Sequence, residues 1–205
     1  TKYADVLTST THKSLRGPRG GFILSTNEYS KWINKGCPMV MGGPLPHVIA
    51  SKAICFKEAK KDSFKKYIHN CVKNAQVLSD VLLENKISVL TGGTDNYMVI
   101  IDLSNFSVSG KDVEQNLSEI GIMANRNSIP FDTKSPFLTS GVRIGTLALT
   151  TRGLTEAAFK EIGQIISDVI HATDKDTFGN QKTQFKEQVQ NITQTFPLYP
   201  EIKIT

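Results

Sequence analysis

A chain of 205 residues, 39% apolar and 21% charged, can bury one sizeable core, or one core plus part of a second. That balance excludes a disordered charged tail, and no apolar run approaches the ~20 residues of a membrane-spanning helix. The net charge is +5, but the lysines cluster between positions 57 and 73, where apolar residues recur at helical spacing, so a solvated helix face explains them better than a nucleic-acid or membrane patch. Cys37, Cys55 and Cys71 are odd in number and lack metal-ligand spacing, which predicts reduced thiols in a cytoplasmic protein and no metal site. The opening residues carry neither the basic start nor the apolar core of a secretory leader.

Residues 4–7 read as a strand, and Phe22, Ile23 and Leu24 as a second. Between them stand the hydroxyl residues Thr8, Ser9, Thr10 and Thr11, the pair His12-Lys13, and a turn built from Gly17, Pro18, Gly20 and Gly21. Both strands look buried, which predicts that the Lys13 amine points into a pocket. Partial burial and the neighbouring cations His12, Arg16 and Arg19 would lower its pKa. A neutral amine is what a Schiff base with an aldehyde requires; a solvated loop cation is the plain alternative. A strand so near the first residue needs neighbours from elsewhere, so the chain is expected to be the later part of a longer polypeptide.

A short helix is expected over 27–34, ended by Lys35-Gly36-Cys37-Pro38, and a loop over 39–46. In that loop Gly42 and Gly43 expose backbone N–H groups that suit an anion such as a phosphate, or simply make a turn. Helices follow over 47–60 and from about Asp62, the second with Phe64, Ile68, Cys71, Ala75, Leu78 and Leu82 on one stripe. A domain boundary near Lys60-Lys61 gives domains 1–60 and 61–205.

Residues 87–90 and 97–103 are strand-like, with Thr94-Asp95-Asn96 in the turn between them. Ser109 caps a helix with Asp112 three residues on, and Gly121 ends it. A strand is expected to begin over 122–124. Residues 125–137 read as an irregular loop in which amides and one Phe could read a heterocycle, or form plain surface. Arg143 lies between Val142 and Ile144 on a short strand, so it points away from both, and its planar guanidinium suits a carboxylate. Thr155 caps a helix whose apolar face includes Phe159, Ile162 and Ile166; a polar break over 174–180 precedes a last amphipathic helix. Residues 196–200 close the fold, and the tail 201–205 is expected to be weakly pinned.

Two stretches carry a resemblance. The run from Thr8 to Gly21, with its hydroxyl residues, His-Lys, a Leu two residues on and then Gly-Pro-Arg-Gly-Gly, resembles the cofactor-lysine signature of serine hydroxymethyltransferases, and Ser140-Gly141-Val142-Arg143-Ile144-Gly145-Thr146 resembles that family's Ser-Gly-(Ile/Val)-Arg-(Ile/Val)-Gly-Thr. The Gly-Gly-Pro at 42–44 and the Thr94-Asp95-Asn96 turn also match. The resemblance covers nearly the whole chain and implies an α/β fold: a partial large domain of the pyridoxal-phosphate (PLP) transferase fold type I, followed by the small C-terminal α/β domain. It implies interconversion of serine and glycine, with PLP as cofactor and tetrahydrofolate as one-carbon carrier. It places PLP on Lys13, supported by Arg19 and, from a neighbouring subunit, by Gly42 and Gly43. It sets His12 and Thr10 beside the lysine, Arg143 on the substrate carboxylate, and Asn127, Ser135, Pro136 and Phe137 around folate. The family usually has Gln at the position of Met41, an aromatic at Cys37 and Pro at Leu147, so contacts made by those side chains differ here.

The family's N-terminal part has no counterpart in this sequence: the Asp on the pyridine nitrogen, the stacked aromatic, the phosphate-binding Ser and Gly, and the acid/base Glu. The resemblance therefore implies the C-terminal portion of an enzyme, inactive alone, whose partner is a second copy or the missing N-terminal half. A non-catalytic folded module binding folate or a partner is the alternative. A threonine aldolase reaction fits less well, because the folate loop matches.

Overall fold

A computed structural model describes residues 2–199, so the expected tail over 201–205 lies outside the described residues. The chain divides into two compact units, residues 1–68 and 69–205. Helices and antiparallel strands build both.

In the first unit, β1 (Val6–Thr10) and β2 (Gly21–Ser25) pair antiparallel, Val6 opposite Ser25 and Thr10 opposite Gly21. β1 runs through the hydroxyl residues rather than stopping before them, because β-branched threonines sit well on a pleated strand. Neither strand is buried: Val6, Ile23 and Leu24 are all exposed. Helix α1 (Asn27–Met41) continues past Gly36 and Pro38, where the sequence suggested a stop. Pro38 removes one intrahelical hydrogen bond, but its fixed φ is helical, and Gly36 only weakens the helix. The helix stops at Gly42, which takes the left-handed φ of 72° that glycine favours. Helix α2 (Pro46–Ala59) starts on a proline, whose missing N–H is harmless in a first turn.

Helix α3 (Asp62–Glu84) begins in the first unit and runs into the second. There Cys71, Ala75, Leu78 and Leu82 are fully buried, as their spacing predicts. The lysines at 57, 60, 61, 65, 66 and 73 are all exposed. Among the described residues, no helix is long and apolar enough to cross a membrane.

The second unit is a four-stranded antiparallel sheet in the order β3-β4-β6-β5. Its strands are β3 (Ser88–Val89), β4 (Met98–Asp102), β5 (Asn125–Asn127) and β6 (Gly141–Gly145). β5 corrects the expectation of a strand over 122–124 and a loop from 125: the register of Asn127 on Gly141 recruits the amide-rich residues as an edge strand. Helices α4 (Gly110–Glu119), α5 (Leu147–Thr151), α6 (Glu156–Asp174) and α7 (Phe178–Thr195) complete the unit. α7 begins inside the expected polar break, because Phe178 is buried and stacks on Phe185.

The core joins Leu78, Leu82, Ile101, Leu117, Phe159 and Ile166. α4 carries a complete capping box: Asp112 N–H donates to Ser109 Oγ, and Ser109 N–H to the Asp112 carboxylate. The Ser109 hydroxyl hydrogen bond, opposed by burial and joined by the Ser109 N–H, holds the Asp112 carboxyl below its usual range. Asp174 is lowered in the same way by the Oγ and N–H of Ser107, each 2.7 Å away.

Close approach sets the position of α4. A Cβ built on Gly110 would lie 2.3 Å from Gly141 O and 2.4 Å from Thr139 Oγ1. One built on Gly145 meets nothing nearer than Tyr97 O at 3.9 Å. Gly110→Ala is therefore expected to cost ~1–3 kcal/mol, and Gly145→Ala to change stability by less than about 0.5 kcal/mol, in paired denaturant titrations. Equal effects would show that helix packing on β6 does not set this difference.

Candidate functional site

In the first unit the loop between β1 and β2 is organised by Thr11, the buried residue beneath it. Its N–H donates to Gly20 O at 3.0 Å, and its carbonyl accepts from Gly17 N–H at 2.7 Å. Its hydroxyl donates to Pro18 O at 2.6 Å. Lys13 opens a turn closed by Arg16 N–H on Lys13 O at 3.0 Å, with Arg16 in the left-handed region at φ 56°. The Arg16 guanidinium lies 3.9 Å from the centre of the Tyr67 ring, a cation–π contact that holds the turn's far end.

Lys13 is exposed, which corrects the expectation of an amine in a pocket: the strands around it are themselves uncovered. His12 Nε2 lies 3.5 Å from Arg19 Nη1, and Nδ1 lies 3.2 Å from Gly20 O. Nδ1 also lies 3.4 Å from Gly20 N, so Gly20 meets this ring nitrogen with both its N–H and its carbonyl. Thr10 ends β1 opposite Gly21. Thr10, His12, Lys13 and Arg19 thus share one hairpin.

Gly42 caps α1, and Gly43 follows it; among the described residues, a Cβ on either would meet nothing within 4 Å, so open space adjoins both. Among the described residues, the Lys13 amine has no hydrogen-bond or ionic partner. A free amine on a pinned turn and an unobstructed glycine pair fit the aldehyde and phosphate ends of PLP. No group of His, Cys, Asp or Glu side chains among the described residues could hold a metal ion.

The support beneath this loop leaves no mark in the sequence pattern. Cys55 on α2 is buried, its thiol donates to Leu15 O at 3.4 Å, and burial, with the Glu58 carboxylate, pushes its pKa up. Gly17 exists for this contact, since a Cβ there would lie 2.5 Å from Cys55 Sγ and 2.9 Å from Thr11 O.

In the second unit, Arg143 alternates as expected: it is exposed on β6, while Val142 and Ile144 are buried. Ile100 and Asn125 stand directly opposite it, so the three share one sheet face. Ile100 also lines an open hollow of about 600 Å³ with Met98 and the Thr94-Asp95-Asn96 turn. That turn is held by Met98 N–H on Asn96 Oδ1 at 2.8 Å and by Thr94 Oγ1 on Met98 O at 2.7 Å. Asn127 ends β5, with its side-chain amide donating to Ser128 O at 2.7 Å. Ser135, Pro136 and Phe137 are exposed on the loop before β6.

Asp132 anchors that loop, and the sequence reading passed over it; the Asp-x-Lys spacing of an Asx turn was its one signal. Burial raises its carboxyl, but hydrogen bonds from Ser140 Oγ and from the N–H groups of Ser140, Lys134 and Ile129 prevail and bring it down from 3.8 to about 2.

Comparison with known proteins gives the family. The family model described as serine hydroxymethyltransferase matches residues 1–166. Proteins named serine hydroxymethyltransferase from Chlamydia trachomatis serovar L2 and Chlamydia pneumoniae are each 46% identical to this chain, and one from Chlamydia muridarum is 45% identical. Each alignment covers 98% of this chain and 43% of the relative, so the chain spans less than half the length of these relatives. The chain belongs to the serine hydroxymethyltransferase family.

Two expectations follow. Gly17→Ala should destabilise the chain by ~1–3 kcal/mol, and adding Cys55→Ala should recover part of that loss; purely additive losses in denaturant titrations would sink the Gly17–Cys55 contact as its cause. The lowered carboxyls of Asp112, Asp132 and Asp174 contribute stability that is full above about pH 4 and lost as pH falls through their folded values. Thermal melts should therefore weaken between about pH 4 and about pH 2, and less steeply in Asp132→Asn, which lacks one of these groups.

Proposed function

We propose that this chain supplies the cofactor lysine and the carboxylate-binding arginine of a PLP-dependent hydroxymethyltransferase that interconverts serine and glycine, with tetrahydrofolate as one-carbon carrier. The observation that carries the reading is the pair of family motifs that present Lys13 and Arg143 outward from hydrogen-bonded backbone. Bound at Lys13, PLP supplies the electron sink for bond breaking at the substrate α-carbon. Lys13 anchors the cofactor through Nζ. Gly42 and Gly43 offer backbone N–H groups to a phosphate, in a second copy of the chain. Arg143 donates two parallel N–H bonds to the substrate carboxylate and so fixes which α-carbon bond faces the cofactor. His12, oriented by Gly20 O and Arg19, borders the lysine with Thr10. Asn127 pairs with the pteridine, and Ser135, Pro136 and Phe137 line the folate pocket.

The chain works as the C-terminal portion of this enzyme, in the cytoplasm, and is inactive alone. Its partner is a second copy or the polypeptide that supplies the remaining length of the relatives. Support comes from the exposed apolar side chains of the first unit, Trp32, Val40, Met41 and Leu45 among them, which suit burial against another polypeptide. The three free cysteines suit a reducing compartment. A second reading, a non-catalytic folate- or partner-binding module, is favoured by one observation: the second unit has a closed core of its own.

The test is absorbance after PLP addition, with borohydride trapping, on the chain alone and mixed with a companion polypeptide that carries the rest of the family's length. The expected result is a visible band from the mixture, trapped on Lys13 and lost in Lys13→Ala. Arg143→Lys should keep the band and weaken glycine binding by about 2 kcal/mol, roughly thirtyfold. A band that survives Lys13→Ala would overturn the assignment of the lysine. A folded chain with no band in any mixture leaves the second reading standing.

A further inference from the structure

One carboxylate ties together both ends of the segment between β5 and β6. Asp132 Oδ2 accepts from Ser140 N–H at 2.8 Å and from Ile129 N–H at 3.3 Å. Its Oδ1 accepts from Ser140 Oγ at 2.7 Å and from Lys134 N–H at 3.0 Å. Ile129 lies two residues beyond the end of β5, and Ser140 immediately precedes β6. Between these points, Leu138 N–H and Thr139 N–H both donate to Ser135 O at 2.9 Å, and Leu138 O and Thr139 O accept from Lys111 and Gly110 at the start of α4. The backbone of 135–139 is thus fixed from below, while Phe137 is left 78% exposed. Phe137 is thus a large apolar side chain held in solvent on pinned backbone, where a ligand can reach it.

We propose that Asp132 is a positioning residue for the one-carbon carrier: by tying both ends of the 128–140 segment, it presents Asn127 and Phe137 to tetrahydrofolate in a fixed geometry. The inference rests on the folate reading of those two residues given above. An aspartate suits the role because an ionised carboxylate accepts on both oxygens and four donors converge on it. Asparagine keeps the shape but turns one oxygen into a donor that faces other donors. A loop released in this way costs ligand affinity through lost preorganisation, without touching Lys13 or Arg143.

The experiment compares Asp132→Asn, Ser140→Ala, Asn127→Ala and Phe137→Ala with the parent in two readouts. The first is amide hydrogen exchange in the chain itself. Asp132→Asn should speed exchange at Ile129, Lys134 and Ser140 by about tenfold or more, with the amides of α6 unchanged, and Ser140→Ala should do so less. The second is titration of tetrahydrofolate and of glycine into the PLP-binding form of the protein. Asp132→Asn should weaken tetrahydrofolate about tenfold while glycine moves less than about twofold, a split that a general loss of stability would not produce. Unchanged exchange at those amides overturns the inference. So does normal tetrahydrofolate affinity in Asp132→Asn when Phe137→Ala has lost it. If Asn127→Ala and Phe137→Ala also leave the titration unaltered, the folate reading itself has failed and the inference falls with it; the exchange data then still report whether Asp132 orders the segment.

Discussion

The second unit depends on a place where no side chain fits. Gly110 and Gly141 press together closely enough to exclude a methyl group between helix and strand, and a Cβ on Gly141 would itself lie 2.6 Å from Asn127 O and 3.0 Å from Ile101 O. The first turn of α4 and strands β4, β5 and β6 all converge on that point. The helix's first amides are spent on Thr139 O and Leu138 O, groups that would otherwise lie orphaned at the strand's entrance. β6 therefore leaves this point with a fixed direction, and two residues later Arg143 stands on the outer face with Val142 and Ile144 locked into the core. The arginine's placement is a consequence of backbone packing, and no contact of its own side chain is needed.

The first unit reaches order by another route. Few of its apolar side chains are buried, so hydrophobic burial does little to hold the hairpin loop. Polar bonds do it instead: one buried threonine donates to the carbonyls of Pro18 and Gly20, a thiol closes on Leu15 O, and Lys52 Nζ caps Gly21 O at 2.8 Å. Such a loop is precise in geometry but modest in local stability, because each net hydrogen bond adds only ~0.5–1.5 kcal/mol. On the proposed reading, it suits a lysine that is held in place and still exchanges partners.

How much of this could be read in advance follows the physics of each element. The stripe from Cys71 to Leu82, the capping box at Ser109 and the outward turn of Arg143 were legible, because period and local hydrogen bonding fix them within a few residues. The end of α1 was not: Gly36 and Pro38 disfavour a helix without forbidding it, and the residue that stops it is the one with a left-handed φ, Gly42. Strand β5 was hidden because Asn125, Arg126 and Asn127 have no strand propensity of their own and are recruited by pairing with β6. Burial of β1 and β2 was misread because an apolar run reports what could be covered, not what covers it. Of the candidate site, the residues proposed to carry chemistry stand out as motifs, while Thr11, Cys55 and Asp132 do not, since a supporting contact is made in space and leaves no spacing in the sequence.

These supports act within each unit separately. Lys13 and Arg143 both extend from constrained backbone, and long cationic side chains lose rotamer freedom only when something holds their ends. On the proposed reading the ligands bring the missing anions: a phosphate for the glycine backbone and a carboxylate for the arginine. The ordering of the side chains is then deferred until the ligand arrives, while the ordering of the backbone is complete beforehand. Backbone error would be shared by every residue downstream of it, whereas side-chain freedom is local and recoverable. On that reading, rigid carriers bearing free cationic ends accommodate an amino-acid substrate that enters, is turned over and leaves, better than a pocket in which each charge is already paired within the chain.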